Sequence, residues 1–168
     1  MSRYFTHYWQ NSTWFRSKEW HADGDLLEYV GGNLFTKRGV GIGDTIYVVT
    51  VLRGKLYLCG KLTVRRICDA NEAAKELGRE ADDLWDASEH VVALQATPMR
   101  FDRPVRLKIT AGLRFVNRNG SKTLYFVEPG KLDQQTLRGV RELEPSSALD
   151  LDALLEPMDK IRLATLSK

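Results

Sequence analysis

The sequence predicts one α+β domain built around a small β-barrel. Its 168 residues suit a single domain, and the hydrophobic fraction of 43% is enough for a sizeable core. The main support is the block 39–66, which has the pattern of a glycine–aspartate turn followed by two strands and a tight turn between them. Helical patterns at residues 69–89 and 132–143 supply the α part of the prediction.

The two strands of this block carry the clearest pattern. Residues Thr45–Leu52 are almost entirely apolar, as expected for a strand that is covered on both faces. Arg53-Gly54 then turns the chain, and a period of two places four apolar residues of the return strand on one face: Leu56, Leu58, Leu62 and Val64. Gly60 lies within that strand and predicts a bulge or a sharp bend, which a small barrel needs in order to curl.

The chain before this block predicts a strand and a short connection. Residues 4–9 have the aromatic and β-branched bias of a first strand, and the polar residues 10–13 end it. Residues 14–20 fit a short helix or an irregular loop, and residues 33–37 fit a helical turn. The aromatic residues of this region therefore lead into the central hairpin.

The chain after the block predicts further helices and strands. Asp69 or Asn71 can cap a helix that Gly78 interrupts, and the helical pattern resumes at Leu84 and Trp85. The short strands predicted next are 91–96, 107–110, 113–116 and 123–127, with a hairpin turn at Asn119-Gly120.

Two helices are predicted near the end of the sequence. Asp133 can cap the first, at residues 132–143, and a second begins at Pro145-Ser146 and ends at Pro157. We therefore expect one domain over residues 1–168, with a C-terminal helical extension from about residue 146.

Composition and motifs exclude several classes of protein. No apolar run approaches the roughly 20 residues of a membrane span, and the first residues lack the pattern of a signal peptide, so we expect a cytoplasmic protein without a membrane partner. Cys59 and Cys68 are expected to be buried thiols. The three histidines do not cluster, and no common hydrolase or phosphate-loop motif is present, so we expect no enzyme, metal or cofactor.

Charge is distributed unevenly along the chain. Residues 100–122 hold seven basic side chains and one acid, Asp102, whereas residues 69–89 hold eight acids against two basic side chains. Such asymmetry favours one surface that attracts polyanions. The alternative is that the basic stretch is the solvated outer face of a hairpin.

Aromatic residues are concentrated near the N-terminus. Nine of the sixteen lie in the first 35 positions. An aromatic cluster beside a small barrel is suited to holding a flat ring, although aromatic residues of strands also form cores.

Several short features together resemble the PUA-like superfamily, and in particular the EVE domain. They are Tyr8-Trp9, Trp14, Gly43-Asp44, Gly60 and the stretch LYFVEPGKLDQQTLRGVREL, and the resemblance covers roughly residues 3–145. It implies a mixed barrel of five or six strands with helices packed around it. It also implies a non-catalytic domain that binds DNA or RNA and reads a modified base, either a methylated or hydroxymethylated cytosine or a methyladenine.

The resemblance also implies where the base would bind. The pocket would lie between the first strand and the strand that follows Gly43-Asp44. Its predicted residues are Trp9, Asn11, Ser12 and Trp14, with Trp20 and Phe35 as lids. Asn11 offers a donor and an acceptor for a base edge. Basic residues would hold the nucleic-acid backbone, and the candidates are Lys37, Arg38, Arg100, Arg103, Arg106 and Arg118.

Two other functions fit the same sequence. One is a protein-interaction module without affinity for nucleic acid, for example an adaptor that docks a nuclease. The other is a small metal-dependent nuclease or hydrolase in which Asp23, Asp25 and Glu28 gather around a cation.

Overall fold

A computed structural model of the protein describes residues 1–21 and 24–164. Among these residues it has eleven strands: β1 Tyr4–Tyr8, β2 Tyr29–Gly32, β3 Thr45–Leu52, β4 Lys55–Cys68, β5 Glu89–Ala96, β6 Phe115–Asn117, β7 Gly120–Lys122, β8 Phe126–Glu128, β9 Lys131–Leu132, β10 Val140–Leu143 and β11 Asp159–Lys160. The α-helices are α1 Asn11–Trp20, α2 Ala70–Leu77, α3 Leu107–Gly112 and α4 Pro145–Asp152.

Nine of the strands form one mixed sheet. Its order is β11-β5-β4-β3-β1-β10-β6-β7, with β2 also paired to β5. β1 runs parallel to β3 and antiparallel to β10. The sheet is larger than the five or six strands expected. Its two ends do not pair with each other within the described residues, so the expected closed barrel is not observed.

The sheet separates two hydrophobic cores. Along β3, Ile46 and Val48 pack in the first core, whereas Tyr47, Val49 and Val51 pack in the second. Both faces of β3 are therefore buried, as its apolar run predicts.

A bulge in β4 moves its apolar residues from one core to the other. Val48 pairs with Gly60 and Val49 with Leu58, so Cys59 is the extra residue. The predicted bend at Gly60 is confirmed. The prediction that the four apolar residues share one face is wrong, because the extra residue shifts the alternation by one. Leu56 and Leu58 face the second core, and Leu62 and Val64 face the first.

Of the two alternatives for residues 14–20, a short helix or an irregular loop, the structure has the helix: they lie in α1, which begins earlier, at Asn11. The predicted cap of α2 is confirmed, because Asp69 accepts a hydrogen bond from the amide of Glu72 at 2.9 Å. Gly78 ends α2 with a φ of +69°, which costs glycine little. α4 begins at Pro145 but ends at Asp152, before the predicted Pro157.

Three assignments differ from the prediction. The helix expected at 132–143 is a 3-10 turn, Gln134–Leu137, followed by β10, because these residues supply the antiparallel neighbour of β1. The strand expected at 107–110 is α3. After the 3-10 turn Ala81–Asp83 the backbone is extended at Leu84, so Trp85 does not lie on a helix.

Candidate functional site

Three adjoining cavities form one groove at the carboxyl end of β1. The central cavity, of about 530 Å³, lies between the start of α1, the end of β2 and the residues before β10. An aromatic cavity of about 300 Å³ shares four lining residues with it: His7, Tyr8, Gln10 and Asn33. A basic cavity of about 650 Å³ shares three other lining residues with the central cavity: Gln135, Arg138 and Val140.

The central cavity forms where β1 leaves its neighbours. The amide of Tyr8 donates to the carbonyl oxygen of Gly139 at 3.0 Å, and α1 begins at Asn11. Gly139 has a φ of +79°, which lets the chain turn sharply into β10. Side chains of the connecting segments therefore surround one space.

Amide side chains dominate the lining of the central cavity. Five of them contribute: Gln10, Asn11, Asn33, Gln134 and Gln135. Ser88 fixes the amide of Asn33, because its backbone N–H and its hydroxyl both donate to Oδ1, at 3.0 and 2.9 Å. Each amide carries both donors and an acceptor, which is the combination needed to recognise the edge of a base.

The Asn11 amide lies against one hydroxyl. Thr50 Oγ1 lies 2.6 Å from the carbonyl oxygen of Trp9 and 3.2 Å from Oδ1 of Asn11, so both oxygens accept from this hydroxyl, with the shorter contact to Trp9. Because Oδ1 of Asn11 faces Thr50, the NH₂ group of Asn11 remains as a donor for a ligand.

His7 is a buried imidazole at the boundary of the central and aromatic cavities. Its side chain is only 7% exposed, and its ring centroid lies 4.9 Å from that of Phe35. Burial lowers the pKa of His7 to about 4, and a weak contact of the Gly31 backbone acts in the opposite direction. Neither ring nitrogen has a partner of hydrogen-bond geometry within the described chain. The ring is neutral at pH 7 and offers one donor and one acceptor.

The aromatic cavity has a stacked pair of tryptophans beside it. Trp85 lines the cavity, and Trp20 stacks on it at a centroid distance of 5.2 Å and an interplanar angle of 20°. The Arg16 guanidinium lies 5.6 Å from the Trp20 ring centroid. Trp20 is 58% exposed, so part of this aromatic stack is accessible from solvent.

The basic cavity holds two arginines that repel each other. Arg141 is half-buried, its Nη1 donates to the Thr136 carbonyl at 2.6 Å, and its guanidinium lies 4.4 Å from the Phe115 ring centroid. Burial, followed by the charge of Arg38, lowers the pKa of Arg141. Arg138 and Lys122 also line this cavity. An anion bound here would relieve the repulsion between like charges.

The predicted aromatic residues separate into two groups. Trp14 and Phe35 are fully buried, and Trp14 packs edge-on against Phe101 at 5.5 Å, so their assignment to a binding pocket is corrected to the core. Trp9 is 4% exposed and reaches the aromatic cavity, as does Ser12. Trp20 lies beside that cavity, and Asn11 lines the central one.

Most of the six basic residues predicted to hold a nucleic-acid backbone lie away from the groove. Arg38 lines the basic cavity, and Lys37 precedes it on an exposed turn. Arg100 and Arg103 pair with Glu156 at 2.8 and 3.3 Å, which neutralises much of their charge.

The two remaining arginines of this predicted set do not line the groove. Arg106 lines a different cavity, and Arg118 is exposed between β6 and β7.

The sequence prediction missed most residues of the groove. Those that the proposal uses are four amides and several basic or aromatic residues: Gln10, Asn33, Gln134, Gln135, His7, Arg16, Trp85, Lys122, Arg138 and Arg141. Arg138 and Arg141 were hidden by the helix expected at 132–143. Gly139 in the sequence argued against that helix, because a glycine inside a helix lowers helix stability by about 1 kcal/mol relative to alanine.

The acidic residues proposed for a metal site do not converge. Glu28 forms an ion pair with Arg79, and Asp25 lies 3.8 Å from Nδ1 of His21. Asp23 lies outside the described residues. In the part of the chain that the structure describes, no group of three or more potential ligands is close enough to hold a metal ion. Across the same residues, none of the helices has the length and apolar character required to span a membrane.

Comparisons with known proteins give little similarity. No protein-family model matches the chain, and no curated protein sequence matches it. A solved structure of a serine-to-alanine mutant of ZmASCH from Zymomonas mobilis is similar at a TM-score of 0.40 and 13% sequence identity. That alignment covers 92% of this chain and 97% of the other.

Proposed function

We propose that the protein is a non-catalytic, PUA-like nucleic-acid-binding domain whose groove holds one unpaired base. The observation that carries this proposal is that a cavity lined by five amide side chains adjoins a cavity lined by Arg38, Lys122, Arg138 and Arg141. The first suits the edge of a base, and the second suits the phosphates on either side of it.

The polar groups of the central cavity support recognition of a base. Asn11 and Asn33 each have an unused NH₂ group, because their Oδ1 atoms accept from Thr50 and Ser88. A base edge presents donors and acceptors side by side, so it can satisfy several of these groups at once. No carboxylate lines this cavity, so a neutral base fits it better than a cationic one.

The like charges of Arg38 and Arg141 support a phosphate site. Burial and the charge of Arg38 lower the pKa of Arg141, and a bound anion would offset this repulsion. Four basic side chains and two acidic ones, Asp133 and Glu142, line the cavity, so positive charge is in excess there. Arg138 lies between this pair and the central cavity, because it lines both cavities. The backbone of a single strand would therefore pass from the basic cavity over Arg138.

The modified base is the finer part of the proposal. His7 and Tyr8 line both the central and the aromatic cavity, so a methyl or hydroxymethyl substituent could extend from the first into the second. There it would contact Trp9 and Trp85. Contact of a substituent with aromatic side chains would favour a methylated or hydroxymethylated cytosine, or a methyladenine, over the unmodified base.

Fluorescence anisotropy with labelled oligonucleotides tests the proposal. The probes are single- and double-stranded DNA and RNA of one sequence, unmodified or with methylcytosine, hydroxymethylcytosine or methyladenine. We expect Arg138→Glu to weaken all binding about tenfold and to lower the slope of log K against log salt by about one. Lys160→Glu removes an exposed charge on β11, outside the groove, and serves as the charge-matched control.

A second variant separates base recognition from phosphate contacts. Asn11→Leu should reduce discrimination among bases about tenfold and leave the salt dependence unchanged. Mass spectrometry of the recovered oligonucleotide should show no change, as expected of a non-catalytic domain. Affinity that is independent of salt, or equal for the wild type and Arg138→Glu, would contradict the proposal.

A further inference from the structure

A separate cavity lies at the start of α3, away from the groove. It measures about 310 Å³, and we call it the α3 cavity. The turn after β3, the segment 104–107 and Phe126 form its walls. The amide of Val105 donates to the carbonyl oxygen of Leu56 at 2.7 Å, and this hydrogen bond fixes one wall to β4. None of its lining residues lines any cavity of the groove.

The walls of the α3 cavity are aliphatic. Leu56 and Val105 are buried beneath it, whereas Leu107 is 53% exposed at its edge. The hydroxyl of Thr110 lies 3.0 Å from the carbonyl oxygen of Arg106, so the hydrogen of this hydroxyl is already used. No asparagine or glutamine lines the cavity, and Phe126 is its one aromatic residue. The cavity therefore lacks the amide side chains that would read a base edge, and its aliphatic walls can accept an apolar amino-acid side chain.

Basic residues surround this apolar surface. Lys55 and Arg106 line the cavity, and Arg53 and Lys108 are chain neighbours of lining residues. Within residues 1–21 and 24–164, none of these four side chains forms an ion pair, and no acid lines the cavity. Two unpaired positive charges that line an apolar cavity, with two more next to lining residues in the sequence, are complementary to a segment with acidic residues on both sides of an apolar one.

We propose that the α3 cavity binds an acidic segment of a partner protein through one apolar anchor residue. The anchor fills the space between Leu56, Val105 and Leu107. The flanking carboxylates pair with Lys55 and Arg106. The site shares no residue with the groove, so the protein can bind this partner and a nucleic acid together.

Anisotropy with a labelled decapeptide tests this site on the full chain. The peptide carries a central Leu-Phe pair flanked by aspartate and glutamate. We expect an Ala-Ala version to bind about fivefold more weakly, and Arg106→Glu to weaken the Leu-Phe peptide about tenfold. Leu107→Ser tests the apolar wall and should act like the Ala-Ala peptide, because this exposed side chain is not needed for folding. Lys75→Glu, on the exposed face of α2, is the control and should bind as the wild type does.

Four results would overturn the proposal. The first is that the peptide does not bind at concentrations up to about 1 mM. The second is that Arg106→Glu and Lys75→Glu bind it equally. The third is that Arg106→Glu weakens oligo-dT more than it weakens the peptide, since that would assign the α3 cavity to nucleic acid. Sedimentation of the protein alone reveals whether a second copy of the chain occupies the site instead, and a dimer that Arg106→Glu dissociates would also overturn it.

Discussion

At the residue scale, the burial of His7 links its protonation to the stability of the fold. The ring is surrounded by Phe35 and the backbone of β2, and a positive charge there would be poorly solvated. Both ring nitrogens are buried without a hydrogen-bond partner in the described part of the chain. The same burial that keeps His7 neutral therefore makes its protonation unfavourable in the folded state.

This coupling predicts a pH dependence of stability. Unfolded His7 takes up a proton near pH 6.5, whereas folded His7 does so only near pH 4, so the unfolded state binds more protons between these values. The stability contributed by neutral His7 is complete above pH 6.5 and falls as the pH drops towards 4, by about 3 kcal/mol in total. Urea unfolding at pH 7 and pH 4.5 measures this loss. His7→Phe should remove it, and Ser12→Ala should retain it; equal losses in both variants would contradict the assignment.

At the element scale, two contacts hold α4 against the sheet. Asp152 Oδ1 lies 2.6 Å from the Tyr47 hydroxyl and 2.7 Å from Lys61 Nζ. Burial, together with the neighbouring Asp152, raises the pKa of Tyr47, so the hydroxyl stays protonated and donates. One carboxylate therefore connects α4 to both β3 and β4.

Removing that carboxylate should loosen the C-terminal part of the fold. In Asp152→Ala the Lys61 charge, which is only 15% exposed, loses its partner, and we expect a loss of roughly 2 kcal/mol in the free energy of unfolding. Asp150→Ala changes an exposed acid on the same helix and should change stability by less than about 0.5 kcal/mol. Thermal unfolding of both variants measures the difference, and equal stabilities would show that the contact contributes nothing.

The bulge of β4 gives a second prediction at this scale. A Cβ atom at Gly60 would lie 2.6 Å from Thr97 Oγ1, which also accepts a hydrogen bond from the Lys61 amide at 2.9 Å. Gly60→Ala should therefore destabilise the protein by roughly 2 kcal/mol. Gly112→Ala meets no atom within 4 Å and should stabilise α3 slightly, by about 0.5 kcal/mol. Urea unfolding compares the two, and a neutral Gly60→Ala would show that the bulge tolerates a side chain.

At the scale of the whole molecule, local signals predicted some elements and long-range pairing decided others. β3, the turn at Arg53-Gly54 and the capped α2 have their causes within a few residues, and all three form as expected. β10 has no such local cause. The pattern of its residues predicts a helix, but they form a strand because they pair with β1, which is distant in the sequence. The change of face along β4 also depends on pairing with a distant strand, since one extra residue at the bulge moves Leu62 and Val64 to the core opposite that of Leu56 and Leu58.

The residues of the candidate site also divide into those that local sequence predicted and those that long-range pairing brings to the groove. Trp9, Asn11 and Ser12 were predicted from one contiguous segment, and they do reach the groove. Arg138 and Arg141 come from the far end of the chain, so only the sheet order brings them there. Trp14 could not be separated from Trp20 by sequence, because both lie on α1 and only the packing decides which one is buried.

The position of β1 between β3 and β10 also fixes the order of assembly. β1 is made first, but one of its two neighbours is among the last strands of the described chain. Contacts of such wide sequence separation form late, because the long loop between them must close first. A chain emerging from the ribosome thus completes the α2 region well before the walls of the groove are together, since Arg138 and Val140 reach the groove only when β10 joins β1.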